Sequence, residues 1–315
     1  MIRYIGQRLL QGAFVLWAAY TVSFFILYLL PGDAVSIMAS GDEQNAVDPA
    51  LVEKLRSEYG LDRPIHEQYF IALLKALQLD FGVSIKNGVA ATQAVGEVLP
   101  ETIRLAVAGF ALAVLLGSAL AIAATFSRNR WVRQVFGSLP PLGIALPTFW
   151  IGLLLLQLFS FRLRLFPAIG NDGAASLVLP AFTLAIPTAA VIAQLLSRSL
   201  HQTLGEPYIE QIRAKGASET LIQFGHALRN AAIPTLTMLG ILVGNLLAGA
   251  VVSETVFSRA GIGRLTVTAV NSRDIPVVQT LVVLAAAIFV VTSLVVDLIY
   301  PLVDPRINVG KTAKA

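Results

Sequence analysis

The chain has 315 residues, of which 56% are hydrophobic and only 13% are charged, and it contains no cysteine. Soluble domains carry about 25% charged residues. This composition, with a mean hydropathy of +0.74, therefore excludes an ordinary soluble protein and indicates a polytopic membrane protein. The missing cysteines exclude disulfides, thiolate catalysis and cysteine metal sites. The net charge of +4 comes from short basic clusters at the ends of apolar runs, a pattern that indicates membrane topology rather than nucleic-acid binding.

Six apolar runs reach the length of about 20 residues that a membrane span requires. We predict an all-α polytopic protein with six transmembrane helices at residues 9–30, 102–126, 134–159, 179–200, 232–253 and 278–300. The first run is longer than the core of a signal peptide and is interpreted as an uncleaved span. Prolines are expected to interrupt the third and fourth spans, at Pro140, Pro141, Pro147 and Pro187. Such breaks are typical of a bundle interior or a transport pathway, and also of plain kinks.

Basic residues concentrate before span one, between spans two and three, between spans four and five, and after span six. They are Arg3, Arg8, Arg128, Arg130, Arg133, Arg213, Lys215, Arg229, Arg306, Lys311 and Lys314. All four segments fall on one side of the membrane, and the positive-inside rule makes that side cytoplasmic. Both termini are therefore predicted to be cytoplasmic, although several other arginines fall on the opposite side.

The long segment 31–99 follows the first span on the outer side. Asp48 with Pro49 has the pattern of a helix start, and Gly60 that of its end. The stretch RPIHEQYFIALLKALQLDFG repeats this scheme, so two small amphipathic helices are expected there. We divide the chain into an N-terminal span (1–30), this extracytoplasmic segment, a transmembrane domain (100–304) and a tail (305–315).

The spans contain few ionisable side chains, and these lie close to the membrane interfaces. They are Glu101, Arg104, Glu254 and Asp297. We expect each to snorkel or pair rather than to carry ions or catalysis. The three histidines, His66, His201 and His226, are scattered outside the spans, which argues against a metal site or a proton relay.

The tail sequence around Gly310–Lys311–Thr312 is similar to the end of a phosphate-binding loop. Such a loop needs a glycine five positions earlier, and Pro305 stands there. It also needs a strand before it and a helix after it. We therefore predict no catalytic residue, no metal and no nucleotide site in this chain.

One polar stretch, EPYIEQIRAKGASETLIQFGHALRNAAIP, lies between two apolar runs, at residues 206–234. Gly205 is expected to end span four in a left-handed conformation, and Pro207 to begin a new helix. Gly216 then breaks that helix, Ser218 caps another, and Pro234 marks the entry to span five. Apolar side chains beside charges on this helix–glycine–helix unit suit docking into a groove of another protein. An interfacial helix resting on lipid is the alternative.

The spacing from Glu210 to Gly216 resembles the E-A-A-x-x-x-G loop of permease subunits in ABC importers, and its surroundings resemble the dipeptide, oligopeptide and nickel branch. Similar motifs follow along the whole chain: YLLPGDAV, YGLDRPIHEQY, LDFGVS, LPETIRLA, ALPTFWIGLL, LVLPAFTLAIP, VFSRAGIGRL, SRDIPVVQ and VVDLIYPLVDPRI. The chain departs from the motif where Gln211 and Ile212 replace both alanines. It also departs from the branch at Gln194, at Ser197 and near Ala260.

The resemblance implies the fold of a type I ABC importer permease in a bacterial inner membrane. It also implies a second permease subunit, two ATPase subunits that hold ATP and Mg, and an extracytoplasmic binding protein. The chain itself would be a transport subunit without enzymatic activity or bound cofactor. The segment 201–231 is then a coupling loop that fits a cleft in the ATPase. The residues implied for coupling, in and just after this loop, are Tyr208, Ile209, Glu210, Ile212, Arg213, Ala214, Lys215, Gly216, Leu221, His226, Arg229, Asn230 and Pro234.

Five further residues are candidates for lining the pathway: Pro147, Phe149, Trp150, Pro187 and Asn245. Peptides are the expected cargo, and nickel or a metal chelate is the alternative. A stand-alone secondary transporter would need intramembrane charges or inverted repeats, and neither pattern is evident in the sequence.

Overall fold

The computed structural model describes residues 2–29 and 63–303, and within these ranges the protein is built from helices. The α-helices are α1 (Ile2–Leu29), α2 (Ile65–Ala76), α3 (Ala91–Phe126), α4 (Arg130–Ala145), α5 (Thr148–Leu155), α6 (Ala175–Leu204), α7 (Pro207–Ala214), α8 (Leu228–Val256), α9 (Ile262–Asn271) and α10 (Ile275–Val303). Two π-helical segments, Leu156–Arg162 and Leu221–Ala227, follow α5 and precede α8. The predicted all-α class is confirmed.

Among the described residues, four helices are long and apolar enough to cross a membrane: α1, α3, α6 and α10. Two bent pairs bring the number to six when each pair counts as one span. The first is α4 with α5 and its π segment, and the second is Leu221–Leu236 with Ile241–Val256. All six predicted apolar runs therefore lie on helices, but several bounds were too short. The helix of the second span begins at Ala91, and that of the fifth at Leu228, so that Pro234 lies inside α8 rather than at its start.

The predicted proline interruptions are mostly wrong. Pro140 and Pro141 lie inside α4, and Pro187 lies inside α6, without ending either helix. The break is at Pro147, where the chain bends by 109° between α4 and α5. Residue 146 has extended backbone with ψ 128°, which is the conformation that a following proline imposes.

The chain divides into two compact units, of which the first comprises residues 1–100 and 264–291. Tyr69 of α2 lies in the buried aromatic cluster of this unit. The ring is buried with Tyr20 and Phe24 of α1, its hydroxyl accepts a hydrogen bond from Trp17 Nε1 at 3.1 Å, and it pairs with Thr21 Oγ1 at 2.8 Å. The helix predicted after Pro64 is thereby confirmed, whereas the one predicted over residues 48–60 lies outside the described residues.

A buried carboxylate fixes the turn that follows α2 in the same unit. Asp274 is 3% exposed, and its oxygens accept hydrogen bonds from Ser84 Oγ and from the backbone N–H of Ile85 at 3.2 Å. Several donors around one carboxylate compensate for its burial. Residues separated by about 190 positions in the sequence are thus joined by one side chain.

The second unit comprises residues 101–263 and 292–315, and α6 is its central helix. Small side chains of α6, among them Ala181, Ala185 and Ala189, are buried against α3 and α8. A Cβ added at Gly117 of α3 would lie 2.7 Å from the backbone oxygen of Ala189. Close backbone approach through small residues is typical of helix packing in membranes, so this glycine sets the distance between the two helices.

Candidate functional site

The predicted coupling loop begins with α7. Pro207 occupies the first turn. Backbone N–H groups in this turn have no intrahelical acceptor, so the missing N–H of proline costs no hydrogen bond. The left-handed cap predicted at Gly205 is wrong, because this residue has φ −85° and ends α6 in a right-handed conformation. Backbone bonds to carbonyls in the last turn of α6 replace the expected cap.

Gly216 ends α7 in the left-handed region, with φ +84°, as predicted. Its N–H donates to the carbonyl of Arg213 at 3.0 Å, and the N–H of Ala217 donates to the carbonyl of Ile212 at 3.4 Å. These two bonds form a Schellman motif, which satisfies carbonyls left open at the end of a helix. The sharp turn of the loop is therefore built on the glycine.

The second half of the loop is capped by Ser218, whose Oγ accepts from the N–H of Leu221 at 3.3 Å. Here the structure differs from the prediction, because this half is π-helical over residues 221–227 before it becomes α-helical. Its Ala227 belongs to a buried cluster with Ala121, Leu196, Leu200 and Ala231. The loop is thus anchored to α3 and α6 from its second half.

Ile209 and Ile222 are fully buried in the chain, each with 0% exposure. Ile209 therefore fixes the loop from inside and is not available for docking. The apolar side chains that remain outside are Leu221 and Phe224, which are 51% and 49% exposed. The ring of Phe224 rests edge-on against Phe126 of α3, with centroids 5.4 Å apart.

The other side chains implied for coupling are mostly exposed. Arg213 forms an ion pair with Glu219 at 3.0 Å, and both side chains are about half exposed, so the pair stabilises the loop little. Asn230 Nδ2 donates to the hydroxyl of Tyr208 at 2.8 Å. The exposed members are Glu210, Arg213, Ala214, Lys215, Gly216, Arg229, Asn230 and Pro234, whereas Tyr208, Ile212 and His226 are half-buried.

The five pathway candidates lie at the break before α5, on α5, on α6 and on α8. Pro147, Phe149 and Trp150 lie exposed at the break before α5, Asn245 lies exposed on α8, and Pro187 is half-buried in α6. None of them lines the cavity that the second unit contains. Their role in a pathway stays a prediction.

That cavity has a volume of about 870 Å³. It is formed by α4 and α6 with one residue of α3, at the end of the bundle where α6 leads into α7. Its lining residues are Ala124, Arg130, Trp131, Arg133, Gln134, Gly137, Pro140, Pro141, Gln194, Ser197 and His201. Among these eleven described residues none is acidic, so the cavity is cationic.

A buried arginine lies at the opposite end of α6. Arg259 is 2% exposed and pairs with Glu101 at 3.0 Å. Its Nη1 donates to the carbonyl of Ser176 at 3.0 Å. This carbonyl has no intrahelical donor, because Pro180, four residues later, has no N–H. Burial lowers the pKa of the Arg259 guanidinium, and attraction by Glu101 and Glu254 opposes this shift.

Glu254 is 1% exposed at the end of α8. Its carboxylate accepts from Thr102 Oγ1 at 2.6 Å and from the N–H of Gly263 at 2.7 Å. A Cβ at Gly261 would lie 2.2 Å from this carboxylate, so the backbone after α8 can wrap around it only as glycine. From the sequence, Glu101 and Glu254 were expected to snorkel or pair near the interfaces. The burial of Glu254 and Arg259 was not predicted, although the glycines of AGIG were a signal for it.

Within the part of the chain that the structure describes, no group of three or more His, Asp or Glu side chains could hold a metal ion. The described residues provide membrane helices, an anchored amphipathic loop and a cationic cavity, which suit transport.

Comparison with known proteins gives the same result. The family described as binding-protein-dependent transport system inner membrane component matches residues 113–309, and the corresponding N-terminal family matches residues 1–106. The glutathione transport system permease protein GsiC of Salmonella choleraesuis (strain SC-B67) is 39% identical over 308 residues, covering 98% of this chain and 99% of the relative. The protein of that name from Escherichia coli (strain K12) is 36% identical over the same length.

Solved structures show the same fold at low sequence identity. An inward-facing MetNI methionine ABC transporter structure aligns with a TM-score of 0.55 at 16% identity, covering 67% of this chain and 97% of that chain. An amino acid ABC transporter crystallised with histidines aligns with a TM-score of 0.51 at 19% identity, covering 68% and 94%. The two family matches together cover nearly the whole chain, on either side of residue 110. The chain therefore belongs to the binding-protein-dependent transport system inner membrane components, the permease subunits of ABC importers.

Proposed function

We propose that this permease forms half of a pathway that imports small peptides, including peptides of the glutathione type. The observation that carries the proposal is the similarity, over 98% of this chain, to permeases named for glutathione transport. Glutathione is a modified tripeptide, so this cargo falls within the peptide class expected from the sequence. Nickel, the alternative expected from the sequence, is not favoured by these relatives.

The complex proposed around this chain contains a second permease subunit, two ATPase subunits and an extracytoplasmic binding protein. Family membership supports a binding-protein-dependent system in general. In this arrangement ATP and Mg bind to the ATPase subunits, and this chain holds no cofactor. The short basic loops support a topology with both termini in the cytoplasm.

The coupling loop is proposed as the contact with an ATPase subunit. Its base is fixed by buried Ile209 and Ile222, while Leu221, Phe224 and Glu210 remain exposed for a partner. An amphipathic helix with a rigid base and exposed apolar side chains suits docking in a groove. Closure of the ATPase pair would then move the loop as one body with the ends of α3 and α6.

The test is uptake by proteoliposomes that contain the complete transporter with its cognate binding protein. We expect ATP-dependent accumulation of radiolabelled glutathione or of a dipeptide such as Ala-Ala, and none of ⁶³Ni²⁺. Liposomes without the binding protein are the control. ATP-dependent nickel uptake without peptide uptake would contradict the proposal.

A further inference from the structure

The cationic cavity between α4 and α6 has no role in the function proposed so far. We propose that it binds the free carboxylate of the peptide cargo as the cargo leaves the pathway on the side of the coupling loop. The proposal rests on the proposed function, because it names the chemical group by which that cargo is held. It concerns the second compact unit alone.

The two arginines of the cavity are free to bind an anion. Arg130 and Arg133 line the cavity, and neither forms an ion pair with a described residue, whereas Arg104, Arg213 and Arg259 are each paired with a glutamate. An unpaired guanidinium presents a planar fork of donors that matches a carboxylate. The cavity therefore offers two cationic groups that the protein itself leaves unneutralised among its described residues.

The groups beside the arginines suit the rest of a peptide. His201 Nδ1 lies 2.7 Å from the carbonyl oxygen of Ser197, and since a carbonyl only accepts, Nδ1 is the donor and the ring is held in place. Gln134 and Gln194 add amides that can donate to or accept from a peptide backbone. Trp131, 76% exposed, supplies an apolar wall for the rest of the ligand.

The size and the position of the cavity also suit a small ligand. Sites for small molecules have volumes of about 300–1,000 Å³ and combine apolar walls with a few polar groups, and the cavity, at about 870 Å³, lies in this range. His201 is in the last turn of α6. Leu196 and Leu200 of the same helix pack against Ala227 of the coupling loop, so the loop and the cavity share one rigid helix.

The experiment uses the full-length chain in nanodiscs of phosphatidylcholine, with Trp17 and Trp150 replaced by phenylalanine so that Trp131 reports alone. We expect saturable fluorescence changes with glutathione and with Ala-Ala. The affinity for Ala-Ala-amide, which lacks the free carboxylate, should be at least about threefold lower, a factor within the range of an exposed ion pair. Arg133→Gln should weaken Ala-Ala binding by about threefold to fivefold. Arg133→Lys should retain part of it.

Arg198→Gln is the matched control, because Arg198 is an exposed cation on α6 that does not line the cavity; we expect unchanged binding. Equal responses to Ala-Ala and its amide, or unchanged binding by Arg133→Gln, would overturn the proposal. So would loss of the peptide response when anionic phosphatidylglycerol is added to the nanodiscs, since the cavity would then hold a lipid phosphate.

Failure of the proposed function gives a different result. Carboxylate binding to the nanodiscs with no ATP-dependent peptide uptake by the complete transporter would reject the transported cargo and leave the anion site intact. Normal peptide uptake with no carboxylate-dependent binding would reject the anion site and leave the function intact.

Discussion

Gly216 provides the sharpest test of how the coupling loop works. It has φ +84°, and a Cβ built on it would meet no atom within 4 Å. A side chain there is therefore opposed by backbone conformation alone and not by steric contact. Holding a non-glycine residue in the left-handed region costs about 1–2 kcal/mol, which shifts the equilibrium between the capped and the uncapped turn by a factor of about 5–30.

Gly216→Val should therefore insert in the membrane normally but lose the Schellman bonds to Arg213 and Ile212, and with them the position of the loop. We expect peptide-stimulated ATP hydrolysis by the reconstituted transporter to fall several-fold. Gly216→Asn should retain most of it, because asparagine adopts this conformation more readily. Gly96→Val is the matched control, since Gly96 is an exposed helical glycine with no atom within 4 Å of its Cβ position.

Two outcomes would refute this reasoning. The first is stimulated ATP hydrolysis at the wild-type level in Gly216→Val. The second is equal loss in the valine and asparagine variants, which would attribute the defect to any side chain at this position rather than to the positive φ.

Further predictions concern topology, docking and stability. In intact cells a cysteine at exposed Asn87 should react with an impermeant thiol reagent and one at exposed Arg128 should not; labelling at Arg128 would reverse the proposed orientation. Phe224→Ala and Glu210→Ala should each reduce co-purification of the ATPase subunits without changing the amount of permease in the membrane, and intact complexes would assign these residues to a lipid-facing surface. Glu254→Gln should destabilise the protein by about 1–3 kcal/mol, because an NH₂ group replaces one of the two oxygens that accept from Thr102 Oγ1 and the N–H of Gly263, and one buried donor loses its acceptor. An unchanged melting temperature in detergent would contradict this.

The sequence predicted the helical class, the six apolar runs and the turn at Gly216, because each depends on local composition or on a single backbone requirement. It could not show which proline breaks a helix. Pro147 and Pro187 look alike in the sequence, but α6 continues through Pro187 while the chain bends by 109° at Pro147. Whether a proline interrupts a helix depends on neighbours that satisfy the freed carbonyl, and these are set by tertiary packing.

The sequence predicted only that the charged side chains near the interfaces would snorkel or pair. Glu101 and Arg259 are 158 positions apart, and no periodicity relates them. Burial of Ile209 is likewise a tertiary property, because an amphipathic helix shows which side chains share a face but not whether that face meets its own chain or a partner. The cavity is lined by residues of three separate sequence segments, in α3, α4 and α6, so it could not be read from any one of them.

The π-helical segment Leu221–Ala227 has a consequence for the phase of the helix that follows it. A π turn closes hydrogen bonds one residue later than an α turn, so it acts as a one-residue insertion in an otherwise α-helical register. Deleting one residue within it would restore α-helical pairing and rotate everything upstream by about 100° relative to α8, the angle per residue in a helix with 3.6 residues per turn. Phe224 and the turn at Gly216 would then face a different direction while α8 stayed in place. The extra residue thus sets the rotation of the amphipathic loop about the axis of the helix that follows it.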